Sequence, residues 1–269
     1  MIQAKDAREE VDWSKWYNFQ GRMGIPLIHL GGTRATTDLL AICNLSEKSE
    51  VLDVGCGTGY TACEIAQKYS AHVVGIDVSE DMVAKAQERA RQDHLKSVEF
   101  HVADVLELPF QDEIFDTVIM ESVLIVLPGE KRDALTEVVR VLKPGGVVGA
   151  NEDFARSETP DEVLDCLAAA LPHMSLLTPQ DLRKLFEDSG LEVIHCMENS
   201  SRGVITPGEV VNIIKTMGVG RLLSYSLRSV VDPEIRMLAR HYREGSNIMI
   251  KRKDTRDFFG YALIVGRKV

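Results

Sequence analysis

From residue 50 onward, short apolar runs rich in β-branched residues alternate with longer stretches in which apolar residues recur every three or four positions. The short runs predict strands, and the longer stretches predict amphipathic helices. Strands are predicted at residues 50–54, 72–77, 98–102, 115–120 and 146–151. Helices are predicted between them at residues 59–69, 79–93 and 130–142. This alternation is typical of an α/β fold, in which helices cover both faces of a parallel sheet.

Both ends of the chain depart from this alternation. A helix is predicted at residues 178–189 and a strand at 191–197, and a helical pattern over about 207–250 then precedes a last strand at 260–265. The first 46 residues contain both tryptophans, Trp13 and Trp16. We therefore predict three regions: a helical lid at 1–46, a core at 47–198 and 256–269, and a helical cap at 199–255.

The amino-acid composition limits the kinds of molecule that the protein is expected to bind. The chain has 269 residues, 45% of them hydrophobic, which is enough for one sizeable core. Its 31 basic and 41 acidic residues give a net charge of -10, which argues against a general affinity for nucleic acid. Five cysteines without zinc-type or CxxC spacing indicate reduced thiols and no metal site.

Targeting and membrane segments are not evident in the sequence. No apolar run approaches 18 residues, and no cationic start precedes an apolar stretch at the N-terminus. We therefore expect a soluble cytoplasmic protein without membrane insertion. The sequence leaves open whether it is a monomer or a homodimer.

The first predicted strand runs into a glycine-rich turn, VLDVGCGTGY, at residues 51–60. Dinucleotide sites use the spacing G-x-G-x-x-G, and phosphate loops need a lysine after the last glycine. Here the spacing is G-x-G-x-G, no lysine follows, and Asp53 precedes the glycines, where it would repel a phosphate. The turn therefore predicts a ligand with a cationic group and no phosphate.

Two further acids follow the next two strands. Asp77 ends VVGID and Asp104 lies in VADVLELPF, so three acids fall at three consecutive strand ends. Ligands of such sheets bind at the carboxyl ends of the strands. S-adenosylmethionine (SAM) fits this set, with Asp53 near the tail ammonium, Asp77 on the ribose hydroxyls, and Asp104 on the adenine amino group beside the Val105 amide.

These motifs, together with FDTVIMESVLIVLP and VLKPGG, resemble those of class I SAM-dependent methyltransferases, in particular the broad group that includes ubiquinone and menaquinone methyltransferases. The resemblance covers about residues 50–151. It implies a Rossmann-like, doubly wound, seven-stranded sheet whose last strand is antiparallel, and transfer of a methyl group from SAM to a small molecule. The candidate cofactor-binding residues are Tyr17, Asp53, Gly55, Cys56, Gly57, Thr58, Gly59, Asp77, Val78, Met82, Ala103, Asp104, Val105 and Glu121.

Candidate catalytic residues follow strands four and five. Glu121 and Glu152 lie at neighbouring strand ends, where one carboxylate can orient the acceptor and the other can act as a base. His29 is a third candidate, although a structural role is more common for a lone histidine. Tyr17 can close over the sulfonium, whose charge favours aromatic faces. Cys43, Cys56 and Cys63 are expected to be structural.

Two questions stay open in the sequence. Residues 221–256 contain nine Lys/Arg and four Asp/Glu, which fits either an anionic acceptor or, preferably, a solvated helix face. The second question concerns activity, because a SAM-binding protein without transfer activity, acting as a regulatory or partner subunit, would keep the same cofactor motifs. A nicotinamide oxidoreductase is excluded by the glycine spacing and Asp53.

Overall fold

The computed structural model of the protein describes residues 12–25, 29–127, 129–202, 220, 223–224, 226–228 and 231–269. Parts of the predicted lid (1–11 and 26–28) and much of the predicted helical stretch in the cap therefore lie outside the described residues.

The core is a seven-stranded sheet with the order β3-β2-β1-β4-β5-β7-β6. The strands are β1 Glu50–Val54, β2 His72–Asp77, β3 Val98–Val102, β4 Phe115–Glu121, β5 Leu142–Ala155, β6 Leu191–Ser200 and β7 Phe259–Lys268. All pairs from β3 through β5 are parallel, whereas β7 pairs antiparallel with both β5 and β6. The predicted fold class is confirmed, including the antiparallel last strand.

Helices cover both faces of this sheet. They are α1 Ser14–Met23, α2 Gly32–Ile42, α3 Tyr60–Tyr69, α4 Glu80–Gln92, α5 Lys131–Val141, α6 Asp161–Ala170, α7 Pro179–Asp188 and α8 Pro233–Ser246. Apolar residues of α2, α3 and α4 join one buried cluster, and those of α5 and α7 join the other on the opposite face. α1 packs against α4 and also contacts α8.

Near the N-terminus, the position of α2 differs from the predicted division into lid and core. α2 contacts β5 and β7, and its Leu39 and Leu40 are fully buried. α2 therefore packs directly on the sheet, although the predicted division at residue 46 assigns it to the lid. Trp16 and Phe19 of α1 are only 1% exposed, which shows that α1 also packs tightly.

Candidate functional site

The glycine turn lies between the carboxyl end of β1 and the start of α3. Gly55, Gly57 and Gly59 have φ of 66°, 52° and 75°, in the left-handed region that favours glycine. A Cβ at Gly57 would have nothing within 4 Å, whereas one at Gly59 would lie 2.8 Å from Ala86 and Phe100. Gly59 is thus required for packing, while the side of the turn at Gly57 is open to a ligand.

This difference gives a matched pair of variants. We expect Gly57→Ala to lower the free energy of unfolding by only about 1 kcal/mol, from the strained φ, yet to weaken SAM binding at least ~10-fold. Gly59→Ala adds a collision with α4 and β3, and we expect it to cost about 2–4 kcal/mol of stability. Thermal unfolding and calorimetric titration of both variants measure the two effects. Equal losses of stability would contradict this assignment.

Asp77 is held at the carboxyl end of β2 by the turn itself. The amide of Gly57 donates to its Oδ2 at 3.0 Å, and the amide of Ser79 donates to Oδ1 at 2.9 Å. Burial raises the pKa of this carboxyl, while the two amide bonds oppose that shift. The glycine turn and the second strand end therefore form one unit around a fixed carboxylate.

The predicted adenine residues lie beside Asp77. The amide of Ala103 donates to the Asp77 carbonyl at 3.2 Å, which joins the third strand end to the second. Asp104 is exposed, and its Oδ1 accepts from the Leu106 amide at 3.0 Å. Val78 is 68% exposed, and Val105 is buried at 6% exposure. The structure thus brings Asp77, Val78, Ala103 and Asp104 together on one edge of the sheet.

Asp53 is placed deeper than its neighbours in the motif. It is 3% exposed, and its Oδ2 is buried with no hydrogen-bond partner among the residues that the structure describes. Burial, followed by the nearby charge of Glu121, raises the pKa of Asp53 well above its usual value, against a bond from the Ala62 amide. An acceptor oxygen of this kind calls for a donor or a cation.

Glu121 connects the end of β4 to two helices. Its carboxylate accepts from Thr36 of α2 at 3.0 Å and from Thr61 of α3 at 2.7 Å. The side chain is 7% exposed, and Oε1 lies 3.4 Å from Nε2 of His29. Glu121 therefore belongs to the same face of the sheet as Asp53, next to the helix that follows the glycine turn.

His29 lies inside this polar cluster, with a side chain only 4% exposed. Its Nδ1 is 2.9 Å from Nδ2 of Asn151 and 3.0 Å from the Leu30 carbonyl oxygen. Asp153 is close by and accepts from the Leu30 amide at 3.4 Å. Burial raises the pKa of Asp153 to about 7, and His29 opposes the shift.

Glu152 lies on the opposite face of the sheet from Glu121. Side chains alternate along a strand, and the register pairs Glu121 with Asn151, the residue before Glu152. Glu152 is 2% exposed and accepts from the backbone amides of Val123, Leu124 and Ile125. The predicted meeting of Glu121 and Glu152 in one acceptor pocket is therefore wrong.

α1 and the residues just after it contact two parts of the candidate cofactor site, the glycine turn and the start of α4. Thr58 donates to the Ile25 carbonyl at 2.9 Å, Ser79 bonds Asn18, and Arg22 pairs with Asp81 at 2.7 Å. A Cβ at Gly21 would contact Met82, another of the predicted cofactor residues, at about 3 Å. These contacts keep α1 next to the glycine turn and the start of α4.

Tyr17 of α1 contacts a residue that the sequence patterns did not indicate. Its hydroxyl lies 3.0 Å from Nε2 of His173, whose ring stacks on Trp13 with centroids 3.9 Å apart. Burial raises the pKa of Tyr17 and lowers that of His173 to about 4, so His173 is neutral at pH 7. His173 is 156 residues from Tyr17 in the chain, so no local spacing links the two.

The three cysteines considered in the sequence analysis are buried inside the protein. Cys43, Cys56 and Cys63 are buried free thiols, and burial raises the pKa of each.

Among the described residues, no group of three His, Cys, Asp or Glu side chains is arranged to hold a metal. Within the same part of the chain, no helix has the length and hydrophobicity needed to cross a bilayer.

The arginines of the cap lie on the outside of α8. Arg236, Arg240 and Arg243 are exposed, whereas Ile235 and Leu238 form the buried side of the helix. This arrangement favours the interpretation as a solvated helix face.

Comparisons with known proteins agree with the geometry. A family model described as a methyltransferase domain matches residues 51–146. An uncharacterised protein of Haemophilus influenzae is 34% identical over 188 residues, covering 68% of this chain and 73% of that protein. The O-methyltransferase cnsE of Penicillium expansum is 32% identical over 165 residues, covering 61% of this chain and 59% of that protein.

Solved structures share the fold. Phosphoethanolamine N-methyltransferase 2 of Haemonchus contortus, in complex with S-adenosyl-L-methionine, superimposes with a TM-score of 0.66 at 17% identity. The match covers 97% of this chain and 58% of that one. The chain thus spans little more than half the length of both named enzymes, and neither is named as a ubiquinone or menaquinone methyltransferase.

Proposed function

Because this chain belongs to the class I SAM-dependent methyltransferases, we propose that it transfers a methyl group from SAM to a small-molecule acceptor with an N, O, S or C nucleophile. The observation that carries the proposal is the acid-lined turn. Adjoining strand ends hold an open glycine turn, a fixed Asp77 and a buried oxygen of Asp53 that has no partner in the described ranges.

The residues present fit the nucleoside half of SAM. We propose that Asp77 accepts hydrogen bonds from the ribose hydroxyls and that the exposed Asp104 accepts from the adenine amino group, with Val78 and Val105 as apolar neighbours. These two assignments are supported by the shared edge that the ends of β2 and β3 form. Carboxylates suit hydroxyl and amino donors because charged acceptors form the stronger hydrogen bonds.

The positively charged ammonium group of the SAM tail would lie near two acidic side chains. Asp53 and Glu121 are two buried acids near each other, and each would gain from a cation between them or beside them. We propose that this pair attracts the ammonium group, with His29, Thr36 and Thr61 holding Glu121 in place. SAM supplies an electrophilic methyl group on a sulfonium centre.

The protein's own contribution would be alignment and exclusion of water. α1 is fixed beside the turn by Asn18, Arg22 and Ile25, and we propose that Tyr17 lies over the reacting centre on this helix. Alignment alone can supply about 7–11 kcal/mol in favourable cases. The named relatives include an O-methyltransferase and an N-methyltransferase, so they do not favour one acceptor atom.

The proposal is tested with SAM labelled in its methyl group and fractionated pools of small metabolites. We expect label in a small molecule and an equal amount of S-adenosylhomocysteine, with neither formed by the Asp77→Ala variant. Tight SAM binding without transfer to any pool would instead support the regulatory subunit, which the names of the relatives do not favour. Absence of SAM binding would refute both functions.

A further inference from the structure

The loop after β4 has an unusual backbone start. Ser122 has φ of 55°, a conformation that non-glycine residues rarely adopt, and its amide donates to the Asn151 carbonyl at 2.8 Å. A 3-10 helix, Leu124–Val126, follows at once and has no capping side chain of its own at Val123. Its first amides therefore need an acceptor from elsewhere in the chain.

Glu152 supplies that acceptor from the neighbouring strand. Its Oε1 accepts from the amides of Val123 and Leu124 at 3.0 Å each, and its Oε2 accepts from Ile125 at 3.2 Å. Three consecutive amides thus converge on one carboxylate that is 2% exposed. Burial raises the pKa of Glu152 to about 8, while the three amide bonds oppose that shift because they favour the charged form of the carboxyl group.

The loop also touches the candidate cofactor turn. A Cβ at Gly55 would lie 2.7 Å from Cγ2 of Val123, so the Val123 side chain fills the space next to the first glycine. Further along, the Ile125 carbonyl accepts from Ser175 at 2.7 Å, in the segment that leads to α7. A shift of this loop would therefore reach the glycine turn directly.

Among the residues that the structure describes, the cavity beside Glu152 is too small for an acceptor molecule. The cavity lined by Glu152, Lys131 and Ser175 has a volume of about 10 Å³, which is the size of a single water site. Leu124, Ile125, Asp153, Leu177 and Leu182 complete its lining. Both carboxylate oxygens are already engaged by the backbone.

We propose that Glu152 is a positioning residue that fixes the loop of residues 122–126 against Gly55 of the glycine turn. The inference rests on the proposed function only in its effect on methyl transfer, because the contact itself is a property of the fold. Glu152 acts through the backbone of the loop and not by touching the acceptor, which replaces its predicted role as a base.

Amide hydrogen exchange measured residue by residue tests this contact without any activity. In Glu152→Gln, the amide oxygen can still accept from Val123 and Leu124, but the new NH2 group faces the Ile125 amide. We expect exchange to rise at least ~10-fold at Ile125 first, and at all three amides in Glu152→Ala. Glu152→Asp keeps the carboxyl group on a shorter side chain and should restore part of the protection.

Two controls accompany the series. Glu192→Gln removes an exposed acid from β6 and should leave exchange in the loop and SAM binding unchanged. Asp153→Asn removes a neighbouring buried acid on the other face and should leave the three amides protected. Unchanged exchange in both Glu152→Gln and Glu152→Ala would overturn the proposal.

Kinetics then separate positioning from direct catalysis. We expect Glu152→Gln to weaken SAM binding about 10-fold together with the loss of loop protection, and Glu152→Asp to recover both. A loss of turnover with altered pH dependence, but with loop exchange as in the wild type, would show that Glu152 acts as a base and would refute the positioning role. If the protein transfers no methyl group at all, the exchange result still decides.

Discussion

Asp77→Ala is expected to weaken the binding of SAM at least ~100-fold. Each hydrogen bond to a charged partner contributes about 1.5–3 kcal/mol, and the proposed ribose contact contains two of them. The variant also removes the acceptor of the Gly57 and Ser79 amides, so the glycine turn loses part of its support. Isothermal titration calorimetry measures the change in affinity directly.

Two further variants locate the cause of that loss. Asp77→Asn keeps the size and one acceptor oxygen, so we expect an intermediate loss of about 10-fold. Glu80→Ala removes an exposed acid three residues further along and should bind SAM like the wild type. Unchanged affinity in Asp77→Ala, in a protein with normal thermal unfolding, would show that the ribose assignment is wrong.

Asp53→Asn is expected to affect stability and binding in opposite directions. The substitution removes a buried carboxyl group whose Oδ2 has no partner within the described part of the chain, so we expect the ligand-free protein to gain about 2 kcal/mol of stability at pH 8. The same change removes the proposed partner of the SAM ammonium, and we expect affinity to fall at least ~10-fold. Denaturant unfolding and calorimetry measure the two effects, with Asp133→Asn as an exposed control.

The gain from Asp53→Asn should depend on pH. The folded pKa of Asp53 is raised above its usual value of 3.8, so the carboxyl holds its proton longer in the folded than in the unfolded protein. Its contribution to stability is therefore complete below about pH 4 and is lost as pH rises through the folded pKa. We expect the variant to equal the wild type near pH 4 and to exceed it increasingly above that. A constant difference across the range would contradict a buried charge at Asp53.

The sheet was largely predictable because its strands carry a local pattern. β1 and β4 are buried along most of their length, and strands of this kind appear in the sequence as short, largely apolar runs. Two features were harder to predict. The helix Asp161–Ala170 buries only Leu167 and Ala170, so it has little apolar periodicity to detect. α2 was placed in a lid because its partners, β5 and β7, lie more than 100 residues away in the chain.

The positions of candidate site residues were predictable where those residues directly follow predicted strands. Asp77 and Asp104 lie at the ends of their strands, as their positions in the motifs indicate. The roles of Glu121 and Glu152 were not readable, because strand alternation places them on opposite faces although their strands are neighbours. Thr36, Thr61 and His173 were missed because only the folded chain brings them to Glu121 and Tyr17.

The contacts of α1 have a consequence for where this protein can be divided. The family match begins at residue 51, yet Thr58, Ser79 and Asp81 each depend on a partner between residues 18 and 25. Trp16 and Phe19 of the same helix are only 1% exposed. A fragment cut at the edge of the family match would therefore leave apolar surface and polar groups bare, and the smallest cooperative unit that retains the site begins well before its signature motif.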